Sequence, residues 1–179
     1  MQLVMVVPHN PQWQQRFEQE SQQIAKALDS TVVAVHHIGS TSIPNIYAKP
    51  IIDCLVEVRA ITQVDQHSGA MAALGYEVMG EYGIPGRRYF RKDNAASIRT
   101  HHIHVFEVGS DHIRRHLAFR DYMKTHPEDA QGYSNLKRHL AKTHPEDIEA
   151  YMEGKHDFIQ AIDAKAAMWR SPFRDDSSS

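Results

Sequence analysis

The run Thr31-Val32-Val33-Ala34-Val35-His36-His37-Ile38-Gly39-Ser40 is the stretch on which the reading of the fold turns. Its β-branched residues predict a strand from Thr31 to Ile38 that stops at Gly39 and Ser40 in a tight loop. That loop, Gly39 to Pro50, carries several hydroxyls, Pro44, Asn45 and Pro50, after which Ile51, Ile52, Leu55, Val56 and Val58 resume a strand pattern. Two buried strands joined by a hydroxyl-rich loop make the loop the place to look for chemistry.

Upstream, Asn10 and Pro11 read as a helix cap and a first-turn proline, and Trp13, Phe17, Ile24 and Leu28 recur at helical spacing. An amphipathic helix over Pro11 to Leu28 follows. Downstream, Thr62 with Asp65 resembles a capping box for a second helix, with Val64, Met71 and Leu74 on one stripe and Gly75 as its stop. Tyr76 to Met79, Arg88 to Arg91 and Ile98 to Val108 read as further strands, separated by Gly80, the Gly83 to Gly86 stretch and the Asp93–Asn94 pair, with two of the strands expected to form a hairpin.

Beyond Gly109 the pattern is helical to near Arg170 and repeats itself, since Lys-Thr-His-Pro-Glu-Asp stands at Lys124 to Asp129 and again at Lys142 to Asp147. Proline suits a first helical turn, and the carboxylates after it suit the positive helix end, so each copy predicts a helix start. The expectation is one α+β domain over residues 1–170, a mixed sheet with an N-terminal helix and a helical subregion at 111–170, and a disordered tail at 171–179.

Composition narrows the partners. The chain has 179 residues, 41% hydrophobic, enough for one sizeable core and too few for two ordinary domains. A net charge of −2 gives no field that would draw nucleic acid nonspecifically. The single Cys54 excludes an intramolecular disulfide framework and fits a reducing compartment, so a cytoplasmic location is expected. No segment approaches the roughly 20 apolar residues that span a bilayer. The 13 histidines are the oddity, several of them adjacent or alternating: His36 and His37, then His101, His102 and His104. No P-loop, Gly-x-Ser-x-Gly elbow, paired-glycine dinucleotide fingerprint or His-Glu-x-x-His helix is present, which removes the common hydrolase, kinase, dehydrogenase and metalloprotease readings.

The segment His37-Ile38-Gly39-Ser40-Thr41-Ser42-Ile43-Pro44, followed by Ala48-Lys49-Pro50-Ile51-Ile52-Asp53, resembles the signature of the GrpB family, also called UPF0157. Pro85-Gly86-Arg87-Arg88-Tyr89-Phe90-Arg91-Lys92, His102-Ile103-His104-Val105 and His116-Leu117-Ala118-Phe119-Arg120-Asp121-Tyr122 extend the resemblance over nearly the whole chain. It implies a core similar to the nucleotidyltransferase superfamily, in which a Gly-Ser turn holds nucleotide phosphates and strand carboxylates hold a divalent metal, Mg²⁺ or Mn²⁺. The same domain type is fused to dephospho-coenzyme A kinases in some bacteria, which implies either a metal-dependent nucleotidyltransferase-like enzyme or a non-catalytic nucleotide-binding or protein-partner module linked to coenzyme A metabolism.

On that resemblance, Gly39 and Ser40, with Thr41 beside them, are the candidates to cradle phosphate, because glycine lets backbone N–H groups approach it closely. An ordinary turn is the alternative. Asp53 is the catalytic and metal-binding candidate. Two-metal transfer needs a second carboxylate two residues along the strand, but that position is Leu55, and Glu57 lies roughly 13 Å beyond Asp53 at strand rise. His102 and His104 alternate on one strand face and, if their strand lies beside that of Asp53, are expected to give a mixed metal set with it, satisfied structural histidines being the alternative, while His101 points the other way. His37 sits nearest the loop mouth. Alternation sends Arg87, Tyr89 and Arg91 to one face and Arg88 and Phe90 to the other. Lys49 with Arg88 or Arg91 is expected to neutralise the ligand's charge, a solvated basic edge strand being the alternative. Cys54 reads as a packed, inert thiol.

Overall fold

The computed structural model describes residues 3–170; Met1, Gln2 and the expected tail at 171–179 lie outside the described residues. These residues form two compact units, one of residues 10–42 and 51–113, the other of residues 3–9, 43–50 and 114–170.

The first unit is built on a five-stranded mixed sheet. Its strands are β1 (Val32–Ile38), β2 (Ile52–Val58), β3 (Glu77–Val78), β4 (Arg88–Asp93) and β5 (Arg99–Glu107), in the order β1-β2-β5-β4-β3. Only β2 and β5 run parallel. The β4–β5 hairpin closes at Asn94, whose side-chain oxygen accepts from the amides of Ala96 and Ile98. Helix α1 (Gln12–Leu28) starts where Asn10 Oδ1 accepts from the Gln12 amide, and its stripe of Trp13, Phe17, Ile24 and Leu28 is buried. Each such side chain contributes about 1.5–3 kcal/mol by leaving water. Helix α1 packs on β1 and β2, and the sheet face on that side carries Cys54, Val56, Phe90, Ile103 and Val105, all buried.

The capping box expected at Thr62 is not there. Two short helices occupy this stretch, α2 (Ile61–Gln66) and α3 (Ser68–Ala73), the first entered at Ala60 with no side-chain cap. Asp65 is instead drawn to Arg88. The strand expected from Tyr76 to Met79 is only two residues long, Glu77 and Val78 standing opposite Arg91 and Phe90 of β4.

The second unit takes most of α4 (Asp111–Thr125), with α5 (Pro127–Thr143) and α6 (Ile148–Trp169). Ile43, Ile46, Tyr122, Met123, Tyr133 and Ile162 form one core cluster and Val4, Leu140 and Tyr151 another. The repeated hexapeptide behaves differently in its two copies. In the first, Pro127 opens α5 with Glu128 and Asp129 in the first turn. In the second, Lys142 and Thr143 still belong to α5, and the new helix waits until Asp147, whose side chain accepts from the Ala150 amide at 3.0 Å. Among the described residues no helix is long and apolar enough to cross a membrane.

Candidate functional site

Register decides which side chains meet. Asp53 stands opposite His102, Leu55 opposite His104, and on the far side of β5 Tyr89 and Arg91 stand opposite His104 and His102. Paired residues share a face, so Asp53, Leu55, His102, His104, Tyr89 and Arg91 are on one face of the sheet. The expected alternation of His101 against His102 and His104 is what the strand shows.

Asp53 Oδ1 accepts from His102 Nδ1 at 3.2 Å, and His104 Nε2 lies 3.7 Å from the same oxygen, beyond hydrogen-bond range. Burial alone would raise the Asp53 carboxyl, but the His102 bond and the neighbouring His104 outweigh it and hold the group well below the usual carboxylate range. The other carboxylate oxygen packs on Gly39. That residue has φ +72°, and a Cβ there would stand 2.6 Å from Asp53 Oδ2, so only glycine fits both the turn and the contact. The Gly39 carbonyl accepts from the Ser42 amide and hydroxyl, closing the turn.

Arg87 completes the group. The turn from Gly80 to Gly86 wraps its guanidinium, which donates from Nε to the Glu81 carbonyl at 3.2 Å and from Nη2 to the Tyr82 carbonyl at 2.8 Å. Its Nη1 donates to His104 Nδ1 at 3.3 Å, and its Cζ lies 4.8 Å from the centre of the Tyr89 ring. Arg87 is 7% exposed, and burial lowers its pKa. Tyr89 spans both imidazoles, with ring centres 5.9 Å from His102 and 5.3 Å from His104.

Gly39, Asp53, His102 and His104 are therefore brought together, and Ser40 follows Gly39 in a single helical turn. The other expected phosphate contacts lie elsewhere. Thr41 is turned inward, its hydroxyl donating to the Ile51 carbonyl and bonded to His37 Nε2, so it faces the core. His37 is likewise buried, stacked on Phe17. Arg88 is on the opposite face, held by Asp65 at 2.7 and 3.1 Å. Arg91 shares the Asp53 face but is engaged by Glu77 at 2.8 and 3.3 Å. Lys49 belongs to the second unit, where its ammonium lies over the Tyr151 ring.

Asp53, His102 and His104 bond or face each other, and among the described residues no three His, Cys, Asp or Glu side chains converge as ligands of one ion. Leu55, at the second carboxylate position, is fully buried, and Glu57 is occupied by His36 at 2.7 Å.

Sequence reasoning placed Arg87 on the right face but favoured its neighbours. It missed a second polar group on the other face. There Glu20 of α1 accepts from Lys92 and from the Tyr76 hydroxyl, each at 2.5 Å, with His101 Nε2 at 3.9 Å. The signal was available, since Glu20 falls on the same helical stripe as Trp13, Phe17, Ile24 and Leu28.

Comparison with known proteins agrees with this architecture. The family description "GrpB protein" matches residues 3–165. UPF0157 protein YqkA of Bacillus subtilis is 45% identical over 167 residues; the match covers 93% of this chain and 48% of YqkA, so the chain spans about half of that relative. Glutamate-rich protein GrpB of Alkalihalophilus pseudofirmus is 32% identical over 89% of this chain and 93% of its own. The crystal structure of conserved protein GrpB from Enterococcus faecalis superposes with a TM-score of 0.86 at 44% identity, covering 90% of this chain and 96% of that one. With this much of its length matched in sequence and in structure, the chain belongs to the GrpB family.

Proposed function

We propose that the Asp53 face of the sheet binds a phosphorylated ligand, a nucleotide in first place, in keeping with the nucleotidyltransferase-like core that the family resemblance implies. The observation that carries this is the Gly39 backbone lying against the Asp53 carboxylate on a face where Arg87 is buried with no described carboxylate to neutralise it. A buried guanidinium satisfied only by carbonyls and an imidazole retains its charge, and arginine's planar fork matches two oxygens of a phosphate. The Gly39-Ser40 turn, against Asp53, adds backbone N–H groups. With Leu55 at the second position, binding is better supported than two-metal nucleotidyl transfer.

A thermal-shift titration with nucleotides and coenzyme A precursors, with and without Mg²⁺ or Mn²⁺, tests this in wild type and Asp53→Asn. Stabilisation by a phosphorylated ligand that is lost in the variant supports the assignment. The metal arms report whether a cation can displace the bonds between Asp53 and its histidines. The second reading, a module that serves a protein partner, is favoured by YqkA, in which the matching region is 48% of the protein. It is the reading left standing if no ligand shifts the melting temperature.

A further inference from the structure

The hydrogen-bond partners of four side chains fix where the protons of this site reside, and the consequence rests on the binding reading above only for the class of substrate. Arg87 Nη1 lies 3.3 Å from His104 Nδ1. A guanidinium can only donate, so Nδ1 of His104 is an acceptor and carries no proton. His104 is then neutral while this bond stands, its proton on Nε2, the atom that faces Asp53 Oδ1. On the other side of the carboxylate, His102 Nδ1 lies 3.2 Å from the same oxygen. A carboxylate can only accept, so His102 carries a proton on Nδ1. Its Nε2 bonds no described side chain, and the His102 side chain is 25% exposed.

We propose that Nε2 of His102 is the general base of the site, oriented by Asp53, and that Arg87 is a positioning residue that keeps His104 neutral and its Nδ1 occupied. The reaction class is attack by a hydroxyl, from water or an alcohol, on a phosphorylated substrate. His102 Nε2 takes the hydroxyl proton as the oxygen bonds to phosphorus. The bond from phosphorus to the leaving oxygen breaks, that oxygen keeps the electron pair, and the proton passes to it from His102. Nothing is oxidised or reduced, and a general base in this position is worth about 10²–10⁴ in rate.

The test is a long-range ¹H–¹⁵N correlation spectrum of the ligand-free full chain at alkaline pH, assigned with His102→Gln and His104→Gln. The expected tautomers are Nε2–H for His104 and Nδ1–H for His102, with Arg87→Met releasing His104 to populate both forms and Arg87→Lys, which keeps a donor, retaining the wild-type one. Diethyl pyrocarbonate attacks bare ring nitrogens, and His102 is expected to react about tenfold faster than His104. A proton on His104 Nδ1, a bare Nδ1 on His102, or equal modification rates overturn the assignment. With ATP as probe, His102→Gln is expected to lower hydrolysis about a hundredfold; an equal rate in the two proteins, including none in either, overturns the base. The spectrum and the modification need no ligand, so their failure is distinct from a failure of nucleotides to shift the melting temperature.

Discussion

The two faces of the sheet carry nearly the same ingredients one residue apart, and they are used in opposite ways. On one face His101 shares a site with a carboxylate, an amine and a tyrosine, Glu20, Lys92 and Tyr76. On the other, His102 and His104 do so with Asp53, Arg87 and Tyr89. The first group is closed, because Lys92 and Tyr76 both spend their donors on Glu20 and α1 supplies that carboxylate. The second is open, because Asp53 is shared by two imidazoles and Arg87 finds only carbonyls and His104. What separates a structural polar group from a functional one here is whether its charges cancel internally, not which residue types compose it.

Glu20→Gln is the sharpest way to break that comparison. Removing one partner of a largely buried pair leaves the other charge uncompensated, so Lys92 loses its counter-ion and Tyr76 its strong acceptor. A loss of about 3 kcal/mol is expected in urea denaturation. Asp53→Asn should be milder, since the asparagine amide oxygen can still accept from His102 Nδ1. If Asp53→Asn proved the more destabilising, the roles of the two faces would be reversed.

Gly39→Ala should come next. The new methyl would meet Asp53 Oδ2 at 2.6 Å, on a backbone at φ +72° that alanine resists, so about 1–3 kcal/mol of stability is expected to be lost. The ligand-induced thermal shift should vanish with it, because the carboxylate must move. A variant that kept both stability and ligand response would mean that Asp53 swings freely, which would sink the view of Gly39 as its seat.

How much of this was legible depends on what each feature needs. Alternation alone separates His101 from His102 and His104, because a strand's two-residue period is local. The glycine turn and Asp53 at its mouth were likewise readable from two strand patterns and the loop between them. Choosing among Arg87, Arg88 and Arg91 was not, because it turns on Asp65 in α2 and Glu77 in β3, acidic residues whose proximity only the folded sheet reveals. The twin hexapeptides teach the same limit. Identical residues open α5 at Pro127 and end it at Thr143, since the first copy is followed by the buried Ala130, Tyr133 and Ser134, whereas in the second the next buried side chain is Tyr151.

Acid should reach the two faces in sequence. Burial brings His101 down to about 4, with the nearby Glu20 opposing, against an ordinary value of 6.5. The unfolded chain therefore binds more protons between these values, and stability should fall as pH drops from about 6.5 toward 4, by at most about 1.4 kcal/mol per unit. Asp53 and Glu20 have depressed carboxyls, so their contributions are intact above the ordinary carboxylate range and are lost only as pH falls below it. Urea midpoints against pH should thus show two limbs. His101→Gln should flatten the upper limb and Asp53→Asn the lower; a single limb moved equally by both variants would show the two groups to be one coupled system.

The smallest effect expected is also a clean control on the face assignment. Arg88→Ala removes a bidentate bond to Asp65, whose side chain is 54% exposed, and exposed pairs are worth only about 0–1 kcal/mol. Stability should barely change. Because Arg88 is on the face opposite Asp53, ligand affinity should not change either, whereas Arg87→Met should reduce it by removing the guanidinium beside His104. The pair of variants separates position from charge, since each removes one arginine from neighbouring positions in the chain. Equal losses of affinity would show that the ligand responds to the basic character of the segment, and the distinction between the two faces would then carry no functional meaning for recognition.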